Sequence, residues 1–169
     1  MREDIPIPGT VKEKILNQAI KDFGRSGYEG VNVQLLAKSV GATTGAIYHH
    51  FGNKLELYRT IREEVEHRII SRMEGASAVY EAPLMSLKAA MIVGFDYAVK
   101  INVCTLASEQ DPSKSTDLVA SLFKTMLGEE IEGAETILAA CWRASLGNVA
   151  NGMDAETAKK ALLWFIDKE

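Results

Sequence analysis

Apolar residues recur at spacings of three and four along almost every long segment of this chain, and no stretch alternates apolar with polar over the length of a strand. That period commits the backbone to helices packed on helices, and the expected class is all-α with about nine helices. With 169 residues, 47% of them hydrophobic, there is material for one or two small domains with a real core. Thirteen glycines and four prolines are too few for a disordered tail or a collagen-like rod. The longest apolar runs, such as residues 89–93, break at Gly94 and Asp96, so no segment is expected to span a membrane. The start, Met1-Arg2-Glu3-Asp4, lacks the layout of a secretory signal, and Cys104 and Cys141 form no paired motif. A reduced cytoplasm is the expected compartment.

Start and stop signals divide the chain. Thr10-Val11-Lys12-Glu13 reads as a capping box, followed by Ile15, Leu16, Ala19, Ile20 and Phe23 on one face and a stop at Gly27. Asn32 caps a second, short helix that Gly41 ends. A third runs from Thr43 or Thr44 to Phe51, and Asn53-Lys54-Leu55-Glu56 opens a fourth that reaches about residue 73. At 1.5 Å per residue the fourth is roughly 30 Å long, enough to join two layers. Its face of Leu57, Tyr58, Ile61, Val65 and Ile69 is flanked by Arg62, Glu63, Glu64, Glu66 and Arg68, a flank expected to be half exposed. Pro83 suits the start of a fifth helix, apolar nearly all round and therefore central. Asp96 and Lys100 on it, four apart, read as a surface pair. After a break at Asp111-Pro112-Ser113 come a helix ending at Gly128 and two more, over about 130–150 and 154–166.

The second and third helices, joined by Val40-Gly41-Ala42-Thr43, have the lengths and the glycine turn of a helix-turn-helix. At about 100° per residue from Thr44, Ile47, Phe51 and His50 share an inward arc, and Gly45 and His49 face the other way. That outward surface is small and hydrogen-bonding. A glycine at its crest permits close approach to a groove floor; Ala46 suits a thymine methyl, and Thr44 and His49 suit base edges. Thr43, Tyr48, Gln34 and Lys54 are placed for phosphates, which orient a protein without reading sequence. Residues 1–60 carry eight Lys/Arg against six acids, whereas the remainder carries eleven against seventeen, so an anionic partner is favoured at one end alone.

Residues 10–58 resemble the DNA-binding domain of the tetracycline-repressor (TetR) family of bacterial regulators. The likeness is carried by Ile15-Leu16 to Phe23, Gly27-Tyr28, the run Val40-Gly41-Ala42-Thr43-Thr44-Gly45-Ala46-Ile47-Tyr48-His49-His50-Phe51, and Asn53-Lys54. Asn32 stands where Ser or Thr is usual, and Leu55 replaces a commonly acidic residue. The resemblance implies a recognition helix over 43–49, phosphate contacts at Tyr48 and Lys54, and a two-domain layout. That layout is a three-helix DNA-binding domain, residues 1–53, followed by a helical effector-binding and dimerisation domain, residues 54–169. Its partners would be a near-palindromic double-stranded DNA operator and a second copy of the chain, with repression the commoner outcome.

The last two helices carry more apolar surface than one neighbour covers. Leu138, Cys141, Trp142, Ser145, Val149, Ala158, Leu162 and Phe165 are expected in a four-helix bundle with the symmetry mate. Candidates for lining a small-molecule effector pocket are Met91, Phe95, Tyr97, Cys104, Phe123, Met126 and Trp142; such a ligand would shift the fourth helix and alter the spacing of the two reading heads. No nucleophile–base pair, phosphate-cradling glycine loop or metal-ligand cluster is found, so neither an enzyme nor a cofactor or metal is expected. Adjacent His49 and His50 point about 100° apart, and His50 is expected as a packing residue. The competing reading is a helical protein-interaction module that touches no DNA.

Overall fold

The computed structural model describes residues 9–111, 116–128 and 132–166, and nine α-helices lie among them. These are α1 (Val11–Gly30), α2 (Val33–Ser39), α3 (Thr44–Phe51), α4 (Lys54–Ser77), α5 (Pro83–Lys100), α6 (Cys104–Ser108), α7 (Leu118–Leu127), α8 (Ala134–Ala150) and α9 (Ala155–Ile166). The starts are set by side chains that satisfy orphan backbone donors. Thr10 accepts from the Glu13 N–H at 3.3 Å, Asp117 from Val119 and Ala120, and Asp154 from Thr157. Pro83 occupies the first turn of α5. Among the described residues no helix is long and apolar enough to cross a membrane.

One apolar core runs from Ile15 in α1 to Leu162 in α9. α1 to α3 form a head. α4 leaves it and packs along α5, while α6 is pressed between α1 and α8, and α7 and α9 lie against α8. Trp142 of α8 is fully buried at the centre, and its indole N–H donates to the Met91 carbonyl at 3.1 Å, so its single polar atom is satisfied.

Gly27 breaks the first helix as expected, with φ +67° and ψ −174°, and a last turn counted with α1 then runs on to Gly30. Two sequence expectations change. Arg62 and Glu66, expected on a half-exposed flank of α4, are 4% and 6% exposed. They continue the buried arc of Leu57, Tyr58 and Ile61, because polar groups from distant segments meet them there. Asp96 pairs across to Lys159 of α9 at 2.9 Å instead of lying beside Lys100 alone. The five-residue α6 is too short to announce itself by periodicity.

α1 meets the backbone of the turn that leads into α6. A Cβ on Gly24 would lie 2.7 Å from the Asn102 carbonyl oxygen and 3.1 Å from Val103 Cγ1, so only glycine permits the approach. Gly24→Ala is therefore expected to destabilise the protein by ~1–3 kcal/mol in chemical denaturation, since backbone must move. Gly75→Ala, on the exposed side of α4 with nothing within 4 Å, should instead stabilise by ~0.5–1 kcal/mol. Equal effects at the two sites would contradict the close α1–α6 contact.

Candidate nucleic-acid interface

The head is assembled by short-range bonds. The Asn32 side chain accepts from the N–H groups of Gln34 and Leu35 at 2.9 and 3.2 Å and so starts α2. Gly41, at φ +69°, turns the chain, with the Ala42 N–H returning to the Ala37 carbonyl at 2.9 Å. Thr43 Oγ1 accepts from the Ala46 N–H at 3.1 Å and starts α3. Ile47, fully buried, and Phe51, 8% exposed, bind α3 to the core one turn apart. Burying two such side chains contributes about 3–6 kcal/mol, which fixes the helix by one face.

The opposite face is bare. Gly45 and His49 are exposed, Tyr48 is 41% exposed, and Thr44 and Ala46 flank them half-buried. A Cβ on Gly45 would meet only Thr43 Oγ1, at 3.8 Å. Gln34 and Thr43 are exposed beside this face. Lys54 is half-buried at the start of α4, where Asn53 accepts from the Glu56 N–H at 3.0 Å. His50 is a correction: it is exposed, its ring edge-on to those of His49 and Phe51, because the buried arc of α3 is no wider than Ile47 and Phe51.

Behind the head lies a polar joint that sequence reasoning missed. The Glu109 carboxylate accepts from the Tyr28 N–H at 3.0 and 3.2 Å and from the Tyr58 hydroxyl at 2.7 Å. Tyr58 in turn accepts from Arg62 Nη1, which also reaches the carbonyls of Leu106 and Glu109. Arg62 Nε donates to Glu66, and Arg143 of α8 joins Glu66 to Asp117 and to the Ala107 carbonyl. Burial and the hydrogen bond to Glu109 hold the Tyr58 hydroxyl protonated, well above its usual range, against the pull of Arg62. Burial alone would lower Arg62, but Glu66, Tyr58 and Asp111 outweigh it, so the guanidinium stays charged. A hollow of about 330 Å³ opens beside this joint, lined by both arginines and by Glu66, Glu109, Asp111 and Asp117.

The residues expected to line an effector pocket are not brought together around one space. Met91, Phe95, Phe123 and Trp142 are fully buried in the core, and Met126 packs on its edge. Tyr97 borders a hollow on the outer side of α4, with the Arg72 guanidinium 4.2 Å from its ring, and the buried Cys104 borders another between α1 and the end of α8. Burial pushes the Cys104 thiol up, away from the reactive thiolate.

The expected dimer residues also divide. Trp142, Ser145, Ala158 and Leu162 are buried in the chain's own core. Leu138, Cys141 and Val149 are half-buried, and the Phe165 side chain lies outside the described residues. The exposed apolar surface of α8 and α9 is instead Ile137 (62%), Ala140, Ala144, Ala161 and Trp164 (60%). α8 is apolar on most sides, so spacing did not distinguish its inner face from its outer one.

A two-helix unit that buries one face of its second helix and bares the other, carried on a helical body, defines a helix-turn-helix protein. Residues 15–61 match the family described as bacterial regulatory proteins, tetR family. Over 57 residues it is 39% identical to the HTH-type transcriptional repressor AcnR of Corynebacterium efficiens, a match that covers 34% of this chain and 30% of AcnR. A longer match, 23% identical over 156 residues, covers 86% of this chain and 67% of the Escherichia coli K12 protein named "Probable acrEF/envCD operon repressor". The crystal structure of a TetR-like transcriptional regulator from Rhodococcus sp. RHA1 shares the fold, with a TM-score of 0.69, 16% identity and 94% of each chain covered.

The Asp117 carboxyl is raised by burial but lowered more by Arg143 and two backbone N–H groups, and lies below its usual range. A depressed carboxyl stabilises the fold above its unfolded-state value, near 3.9, and loses that contribution as pH falls through the lower folded value. Asp117→Asn should therefore flatten the acid limb of the stability curve below about pH 4 while changing little of its shape at neutral pH. An unchanged acid limb would contradict the Asp117–Arg143 bond.

Proposed function

We propose that this protein is a sequence-specific DNA-binding transcriptional regulator, acting as a homodimeric repressor that a small-molecule effector releases from its operator. The observation that carries this reading is the bare outward face of α3, with Gly45 at its crest and no acidic side chain on it. In this reading residues 1–53 are the DNA-binding domain and residues 54–169 the effector-binding and dimerisation domain.

The division of labour on the head follows from chemistry. Thr44 and His49 offer hydrogen bonds to base edges in the major groove, and Ala46 offers a methyl to thymine. Tyr48, Gln34 and Lys54 grip phosphates. Thr43 joins them, since its hydroxyl accepts from Ala46 and still has its own proton to donate. One helix of this length spans few base pairs, so a second copy is needed to read a half-site about one turn away, ~34–36 Å, or a multiple of it. Ile137, Ala140, Ala144, Ala161 and Trp164 supply an exposed apolar face on α8 and α9 for that pairing, with Cys141 and Leu138 beside it. The effector acts by preferring one spacing of the two heads. The hollow at Arg62, Glu66 and Arg143 touches α4 directly, whereas the aromatic core is closed, so a polar ligand suits the body better than an apolar one.

Selection of bound duplexes from a random pool should return a near-palindrome. Against the selected duplex, Lys54→Ala should weaken binding to all sequences alike and lower the slope of log affinity against log salt by about 0.9 for each phosphate that is no longer neutralised. His49→Ala should change preference at particular bases, by ~1–3 kcal/mol each. No enrichment from the pool, or both variants binding every duplex like the parent, would overturn the reading.

A further inference from the structure

We propose that Tyr28 is a positioning residue for Lys54, and that Glu109, from the far side of the polar joint, holds Tyr28 in place to do it. The inference rests on the reading above, in which Lys54 grips a phosphate. The Lys54 ammonium lies 4.7 Å from the centre of the Tyr28 ring, a cation over the negative face of an aromatic quadrupole. A lysine at a helix start otherwise samples many rotamers and gives up that freedom when it meets DNA. One laid across a fixed ring has already given up part of it, so less is lost on binding.

Tyr28 is fixed from two directions. It stands edge-on to Tyr58 at 5.1 Å with planes at 79°, and Tyr58 is fully buried. Its backbone N–H is released from the helical ladder by the kink at Gly27 and is collected by both Glu109 oxygens. A Cβ on Gly27 would sit 2.5 Å from Glu109 Oε2, so the carboxylate fills the space that a side chain at the kink would need. Glu109 is bound in turn by the Tyr58 hydroxyl, and its own backbone carbonyl by Arg62. A side chain that follows α6 thus sets, through one backbone N–H and one ring, the seat of the phosphate-gripping lysine at the start of α4. The tyrosine hydroxyl has no part in holding the cation; the ring face does.

The test is a double-mutant cycle on the full chain, read as binding to a mixed-sequence duplex across a salt series, with thermal melting of each variant alongside. Tyr28→Phe keeps the ring face and should bind like the parent. Tyr28→Leu removes it and should weaken binding roughly two- to fivefold per head. That loss should vanish in the Lys54→Ala background, where there is no cation left to position. Glu109→Gln, which keeps an acceptor near Tyr28 but loses the symmetric carboxylate, should give a smaller loss that vanishes in the same background. If Tyr28→Leu weakens binding as much with Lys54→Ala as without it, or if Tyr28→Phe weakens it as much as Tyr28→Leu, Tyr28 supports the fold alone and the proposal is wrong. A parent protein that shows no salt-steep binding to any duplex overturns the DNA-binding reading itself, which the variants do not bear on.

Discussion

The contact between α1 and α6 is the constraint from which the rest of the molecule hangs. Gly24 lets the two backbones touch at Asn102, and the kink at Gly27 makes room for the Glu109 carboxylate. From that line α1 carries α2 and α3 on its apolar face, and the Tyr58 ring, edge-on to both Phe23 and Tyr28, locks α4 to the same place. The direction in which α3 presents Gly45 and His49 is therefore a property of the helical body as much as of the head. In the proposed repressor that dependence is what would let a ligand bound in the body influence DNA, through a contact that both parts share.

The polar joint contributes more to arrangement than to stability. Arg62 and Glu66 are almost wholly buried, and taking such a pair out of water offsets most of its mutual attraction. Its value lies in the number of elements it ties at once. Arg62 reaches Tyr58, the end of α6 and the segment after it, while Arg143 reaches Glu66, Asp117 and the Ala107 carbonyl. A shift of α6 or α8 by an ångström breaks several of these bonds together, so the joint favours discrete positions over a continuum.

What was legible in the sequence is what is local. Asn32, Thr43 and Asn53 cap the helices they precede, Gly41 turns between α2 and α3, and Ile47 with Phe51 marks the inner side of a helix too short to hide the other. The family resemblance at residues 10–58 rests on those same positions and agrees with the match at residues 15–61. What was not legible depends on partners far along the chain. Charges at Arg62 and Glu66 read as a solvated flank because the groups that neutralise them, Asp111 and Arg143 among them, lie dozens of residues away. In the same way Trp142 turns inward and Ile137 outward, a choice fixed by how α5, α6 and α7 surround α8 and absent from the period of α8 itself, while Leu162 turns inward where α9 packs on α5 and α8. His50 failed for a smaller reason: near a helix end the buried arc narrows, and a ring at its margin swings into water.

The central claim is that two copies of the bare α3 face lie in the major groove on one side of a single duplex. Methylation protection of guanine N7, an atom that only the major groove exposes, tests it on a duplex selected from a random pool. The account predicts two protected clusters with centres about one helical turn apart, or a multiple of it, with unprotected guanines between them. Guanines that stay open to methylation throughout a stably bound duplex would mean that α3 does not enter the groove, and the assignment of this surface would be wrong.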